Sequence, residues 1–322
     1  MNILVASSID ADALETLKQN HDVICAFNAP EEQLKALIAD REVLIFRSGV
    51  QITAQVLACA PKLELILRGG SGVDNIDLDY VERRGIRLVR IPGPGAKAVA
   101  EMSFALMLGL ARNVLQADSL LRQGKWAKRE MTGSQISGKV LGIVGAGNIG
   151  ARTGELGARW GMQVLGCVEH PTPEAAARLM MKGITLVDLD QLLAQSDFVS
   201  LHVPLKDSTR GLIGARALAR MKPGAYLINL ARGGVVDEEA LRQALLEGRL
   251  AGAALDVHRQ EGDGKISPLA DLPNVILTPH IGASTFDSQR EIGVIILEQV
   301  ELFVQHRSTP GLLPRHVVLP VS

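Results

Sequence analysis

Aromatic residues make up only 3% of the 322 positions in this sequence. Beside abundant Ala, Val, Ile and Leu, that scarcity argues against an all-β sandwich and for helices packed on buried parallel strands. Cysteine is almost missing as well. Cys25, Cys59 and Cys167 form no CxxC pair and leave an odd count, which excludes a disulfide scaffold or thiolate metal site and suits buried thiols in a reducing cytoplasm. No apolar run approaches a bilayer span, the longest covering only ten positions from Met102 to Ala111, so no membrane partner is expected. Charge of one sign is not in excess either. The 34 Lys and Arg face 35 Asp and Glu, so no overall field steers the chain toward nucleic acid. The opening Met-Asn-Ile-Leu-Val lacks a basic stretch and soon meets Asp10 and Asp12, which reads as a first strand and not as a signal peptide.

What is present is a large apolar fraction, 47% of the chain, enough for two domains. From Asn2 to Arg90 short apolar strands (Ile3–Ala6, Val23–Cys25, Val43–Phe46, Leu63–Leu67) alternate with amphipathic helices (Asp12–Gln19, Glu31–Ala39). A long helix is expected over Lys97–Val114, and a second βα series begins near Gly138. It predicts strands at Val140–Val144, Gln163–Val168, Phe198–Leu201, Tyr226–Asn229, Gly252–Leu255 and Val275–Leu277, a helix over Ala151–Trp160, and a final helix over Asp287–Gln305. The fold class is therefore α/β, with two doubly wound parallel-sheet domains. Because the glycine-rich turn at residue 145 cannot open an N-terminal cofactor domain, the first hundred residues form a separate unit to which the last helix returns.

That turn, Gly145-Ala146-Gly147-Asn148-Ile149-Gly150, is a GxGxxG pattern between a strand and a helix. Glycine there permits the tight bend and lets backbone amides and the helix N-terminus approach a pyrophosphate. Glu169 lies roughly 20 residues beyond it, where a carboxylate at the end of the second strand accepts bonds from an adenosine ribose and repels a 2′-phosphate. NAD is thus the expected cofactor.

Three further strand ends each carry one reactive residue: Arg232 in Asn229–Gly234, Glu261 in Leu255–Glu261 and His280 in Leu277–Gly282. Ligands of open α/β sheets bind at such ends. Taking hydride from a secondary alcohol also means taking its proton, which suits His280 as general base. A carboxylate on the other ring nitrogen, Glu261, would fix the tautomer and stabilise the imidazolium. Arg232 offers a planar pair of donors to the carboxylate and carbonyl of a 2-oxo acid.

With these residues in view, nearly the whole chain resembles the D-isomer-specific 2-hydroxyacid dehydrogenases, most closely the phosphoglycerate dehydrogenase branch. The resemblance is carried by Arg68 with Gly72–Asp77, Ala98–Glu101, Gly145–Gly150, Leu201–Leu205, Met221–Gly224, Asn229–Gly234, Ala254–Val257 and Thr278–Gly282. It implies a catalytic set of Arg232, Glu261 and His280. It further implies that His202, Val203, Pro204, Leu230, Ala231 and Gly282 line the cofactor, that Asp256 holds the nicotinamide carboxamide, and that Ser71 and Gly72 offer amides to the substrate carboxylate. The implied substrate domain is split over 1–98 and 286–322 around an NAD domain at 99–285, with a homodimer formed through the latter. The sequence departs from the usual pattern at Val168, Asn148, His258 and Gly262, and at Arg90 and Gly95, both commonly Asn.

Arg47 and Arg68 match basic positions that look like anion contacts in phosphoglycerate dehydrogenases, and Lys128, with Arg129 after Trp126, lies in the region where another basic residue is expected. They lead to 3-phosphoglycerate as the expected substrate, and so to serine biosynthesis, with hydroxypyruvate or glyoxylate reduction as the alternative. A non-catalytic NAD-binding regulator resembling the C-terminal-binding co-repressors is the rival of another class; retention of Arg232, Glu261 and His280 opposes it. A chain ending at Ser322 leaves no room for the regulatory domain of longer members, so feedback by serine is not expected.

Overall fold

A computed structural model describes residues 1–27, 29–47, 49–306 and 316–319. The chain divides into two compact units, Met1–Ala96 with Ala283–Ser322, and Lys97–Gly282. The sequence places its divisions within a few residues of these, at 98/99 and 285/286; the parts of its C-terminal return at 307–315 and 320–322 lie outside the described residues.

In the first unit β1 (Asn2–Val5), β2 (Asp22–Cys25), β3 (Val43–Phe46), β4 (Leu65–Arg68) and β5 (Arg87–Arg90) pair in parallel in the order β2-β1-β3-β4-β5. β3 and β4 are buried along their whole length, as expected of central parallel strands covered on both faces. Three of the four helices between them start on short polar side chains: Asp10, Thr53 and Asp77 each accept from a first-turn amide, whereas the helix Glu31–Ile38 follows Pro30 without a side-chain cap. Asp77 opens the helix Leu78–Arg84, which, with β5, carries too little periodicity for a sequence reading to separate it from loop.

The second unit is a seven-stranded sheet of β6 (Val140–Val144), β7 (Gln163–Cys167), β8 (Ile184–Leu186), β9 (Phe198–Leu201), β10 (Tyr226–Asn229), β11 (Gly252–Leu255) and β12 (Val275–Leu277). The order β12-β11-β10-β9-β6-β7-β8, with every pair parallel, is the Rossmann-like winding, and it reverses direction between β6 and β9. A crevice therefore opens at the carboxyl ends of these two strands. The core of this unit gathers Val144, Leu165, Val199, Leu201, Leu227, Ala253 and Leu255 from the sheet with Leu192, Leu218, Leu241 and Leu245 from the helices.

The chain returns to the first unit through the helix Phe286–His306 and β13 (His316–Val318), which pairs with β5. Ile292, Ile296, Val300 and Phe303 recur at helical spacing and pack on Ile3, Val5, Leu65, Leu67 and Val89. Each contributes roughly 1.5–3 kcal/mol of burial. The long helix runs over Gly93–Ala111, starting four residues before the expected Lys97. Pro94 is compatible with this because a first-turn residue needs no intrahelical N–H; Asn113, left-handed at φ 52, ends the helix before Val114.

Candidate active site

The glycine turn shows its purpose in what a side chain would strike. Gly145 has φ +91, and a Cβ there would lie 2.7 Å from Val203 and 2.9 Å from the His202 backbone, so β6 and β9 close on each other only around glycine. At Gly150 a Cβ would come within 2.2 Å of the Gly145 carbonyl, which excludes any larger residue at this one position in the first turn of the helix Asn148–Arg159. Gly147 is different: a Cβ would meet nothing within 4 Å. It stands at the N-cap without a side-chain hydrogen bond, so no cap side chain occupies the positive end of the helix, where the first-turn amides have no intrahelical partner. That is the geometry a dinucleotide pyrophosphate requires, and the residues present fit such a group.

Near this cradle, Glu169 follows β7 and is exposed, with Lys206 Nζ 3.2 Å away and Ser208 Oγ at 3.5 Å. The lysine holds its carboxyl below the ordinary range. Lys206 lies just past the Leu201–Leu205 motif, and no sequence pattern singles it out. His202 is half of an internal pair, its Nε2 2.9 Å from Ser200 Oγ, while its Nδ1 is buried without a partner. Burial pushes it down to about 3, so the ring is neutral. Pro204 gives its carbonyl to Thr209 Oγ1 at 2.6 Å.

The three reactive strand ends meet through their loops. Glu261 Oε2 lies 3.0 Å from His280 Nδ1, with each side chain about two-fifths exposed (41% and 40%). A carboxylate only accepts, so Nδ1 carries the hydrogen and Nε2 is left as the acceptor. Burial alone would raise Glu261; the hydrogen bond and charge of His280, with the His258 amide at 3.1 Å, outweigh it and hold the carboxyl below its usual value. His280 is left-handed at φ 55, and its amide bonds the Thr278 carbonyl at 3.1 Å. His258 Nε2 donates to that same carbonyl at 2.9 Å.

Asp256 ties the turn down from beneath. It is buried, and its carboxylate accepts from Thr278 Oγ1 at 2.6 Å, the Ile281 amide at 2.9 Å and the Gly282 amide at 2.7 Å. These three donors all belong to the His280 turn, a supporting role the sequence does not display. Arg232 follows β10 beside buried Leu230 and Ala231; its Nη1 donates to the Ala231 carbonyl at 2.7 Å. The adjacent Gly233 lies so close to the 258 loop that a Cβ would fall 1.8 Å from the His258 carbonyl. The Arg232 and Glu261 loops are therefore in direct contact.

In the first unit, Arg47, Arg68, Ser71 and Gly72 come together at the carboxyl ends of β3 and β4. Arg68 is buried over the Phe46 ring and bonds the Gly69 and Gly72 carbonyls. Arg47 Nη2 donates to the Ala283 carbonyl at 3.3 Å, and burial lowers its pKa. Lys128 belongs to the second unit and is exposed.

Residues 104–282 match the sequence model of the D-isomer specific 2-hydroxyacid dehydrogenase, NAD binding domain. The chain belongs to the D-isomer-specific 2-hydroxyacid dehydrogenase family. It is 40% identical over 302 residues to the D-3-phosphoglycerate dehydrogenase of Methanocaldococcus jannaschii, covering 94% of this chain and 57% of that protein. It is 36% identical over 299 residues to the hydroxypyruvate reductase of Thermotoga maritima, covering 92% and 96%. Among solved structures it superposes with a TM-score of 0.82 and 30% identity on the D-lactate dehydrogenase of Aquifex aeolicus complexed with NAD and lactic acid, covering 94% of this chain and 96% of that one. The chain thus spans little more than half the length of its phosphoglycerate dehydrogenase relatives and almost all of the hydroxypyruvate reductase. A nicotinamide cofactor follows from the family and from the cradle.

Proposed function

We propose that this chain is an NAD-dependent oxidoreductase acting on the CH–OH group of a D-2-hydroxy acid, and that it oxidises 3-phosphoglycerate to 3-phosphohydroxypyruvate. The observation that carries the chemistry is the His280–Glu261 pair at 3.0 Å, set in the same unit as the glycine cradle.

A nicotinamide held on the glycine cradle would supply the hydride acceptor for C2. His280 Nε2 takes the hydroxyl proton, and Glu261 stabilises the imidazolium that forms. Arg232 holds the substrate carboxylate and polarises the oxygen that becomes the carbonyl. Ser71 and Gly72, in the first unit, carry the amides expected to meet a substrate carboxylate. Asp256 keeps the His280 turn rigid and would hold the nicotinamide carboxamide when the cofactor is bound. Glu169, kept ionised by Lys206, selects a ribose with a free 2′-hydroxyl. Arg47 and Arg68, in the first unit, are the cations assigned to the phosphate, with Lys128 of the second unit a further candidate, and the product would feed serine synthesis in the cytoplasm.

Reduction of hydroxypyruvate or glyoxylate is the second reading, favoured by the match to almost the full length of the hydroxypyruvate reductase. Initial rates with NAD and 3-phosphoglycerate, beside the reverse reaction with hydroxypyruvate and glyoxylate, separate the two. Turnover of phosphoglycerate is expected; reaction of the unphosphorylated oxo acids alone would leave the dehydrogenase chemistry standing and withdraw the phosphate contacts. No turnover of any acid despite NAD binding would indicate a non-catalytic regulator.

A further inference from the structure

The turn that follows β4 has its carbonyl groups held by two guanidinium groups. Arg68 Nε donates to the Gly72 carbonyl at 3.0 Å and Nη1 to the Gly69 carbonyl at 3.1 Å. Arg90 Nη2 donates to the Ser71 carbonyl between them. In a planar trans peptide the C=O and the following N–H point to opposite sides. Turning the Ser71 carbonyl onto Arg90 therefore turns the Gly72 N–H away from it, and the grip of Arg68 on Gly72 does the same for the Val73 N–H. The Gly70 amide is already committed to the Arg68 carbonyl at 2.8 Å. With the Ser71 and Gly72 carbonyls held by guanidinium groups, the Gly72 and Val73 N–H groups are directed away from them.

Arg90 reaches this turn by design of the sheet. It is the last residue of β5 and lies in register with Arg68 at the end of β4, which itself pairs with Phe46. Its Nε is buried without a partner, so the side chain incurs desolvation while only its tip is engaged. The nearby charge that supports the cation is Asp74. No role in the reaction as described so far uses this residue.

We propose that Arg90 is a positioning residue for the substrate carboxylate: it fixes the Ser71–Gly72 peptide so that the Gly72 N–H faces the acid. The proposal rests on the dehydrogenase reading, and the test separates the two. Michaelis constants for glyoxylate, hydroxypyruvate and 3-phosphohydroxypyruvate are compared in wild type, Arg90→Met and Arg90→Gln. The dissociation constant of oxalate, a carboxylate probe that undergoes no hydride transfer, is measured in parallel by calorimetry in the presence of NAD. Arg90→Met is expected to raise every KM and the oxalate constant by about 10-fold or more, with kcat and NADH affinity nearly unchanged. Arg90→Gln, whose amide can donate to the same carbonyl without charge, should restore most of the loss. A rise confined to the phosphorylated acid, with no restoration by Gln, would make Arg90 a phosphate contact and overturn the proposal, as would unchanged constants in both variants. If Arg90→Met fails to fold, Arg90→Ala with added guanidinium ion gives the same comparison: recovery of the oxalate constant supports the proposal and absence of recovery overturns it. If the wild type reduces no acid, the dehydrogenase reading falls and the oxalate constants alone decide the role of Arg90.

Discussion

His280 occupies a backbone region that non-glycine residues rarely adopt, at φ 55, and the surroundings hold it there. Asp256 accepts three hydrogen bonds from residues 278, 281 and 282. Asp256→Ala should therefore destabilise the protein by about 2–4 kcal/mol in denaturant titrations, because three donors of one turn lose a buried acceptor. Arg232→Ala should lower kcat and raise KM together if, as proposed, one group both holds and polarises the substrate; unchanged steady-state constants would remove Arg232 from the site. Much of this was legible from residue chemistry: His280, Glu261 and Arg232 stand at strand ends, and the structure brings the first two within hydrogen-bond distance. The supports were less legible. Thr278 and Lys206 are ordinary polar residues in sequence, and the contact of Arg90 with Ser71 depends on side-chain direction across neighbouring strands, which no spacing rule conveys.

At the scale of elements, the glycine turn joins β6 to the helix Asn148–Arg159 through contacts that tolerate no Cβ. Gly150→Ala would place a methyl carbon against the Gly145 carbonyl, where it lies 2.2 Å away before relaxation. The expected result is at least a roughly 10-fold weaker NADH dissociation constant by fluorescence titration and a lower melting temperature, as the turn shifts to relieve the contact. Unchanged NADH binding would mean that the cradle adapts freely and that its geometry is not what holds the cofactor. Sequence periodicity locates the buried strands closely: Val140–Val144, Phe198–Leu201, Tyr226–Asn229 and Gly252–Leu255 end where their apolar runs end. It fails where local signals conflict with context. Gly93-Pro94-Gly95 resembles a loop, yet the chain is already helical there, and Ile184–Leu186 is too short to announce itself as a strand.

For the whole molecule, His202 links stability to acidity. Its folded-state pKa lies near 3, below the unfolded value of 6.5, so between these values the unfolded chain binds more protons and acid favours unfolding. Stability should fall by about 1.4 kcal/mol per pH unit as pH drops below roughly 6.5, and His202→Asn should flatten that slope in urea melts at about pH 7 and 5. A slope unaffected by the substitution would assign the acid sensitivity elsewhere. Assembly is a second property at this scale. The helix Val114–Arg122 buries none of its residues, and Val114, Leu115, Leu121 and Trp126 are exposed. We propose that a second copy covers them; Leu115→Glu with Leu121→Glu should then halve the mass seen by light scattering, whereas an unchanged mass would place the contact on another face.

The most direct test of the account is NADH formation from NAD and a 2-hydroxy acid by wild type and His280→Ala, with NADH affinity measured for both. Turnover by the wild type, a loss of about two to four orders of magnitude in kcat for the variant, and unchanged NADH binding are predicted, because the substitution removes the proposed base and leaves the cradle intact. Near-normal turnover by His280→Ala would contradict the assignment of the proton to this residue.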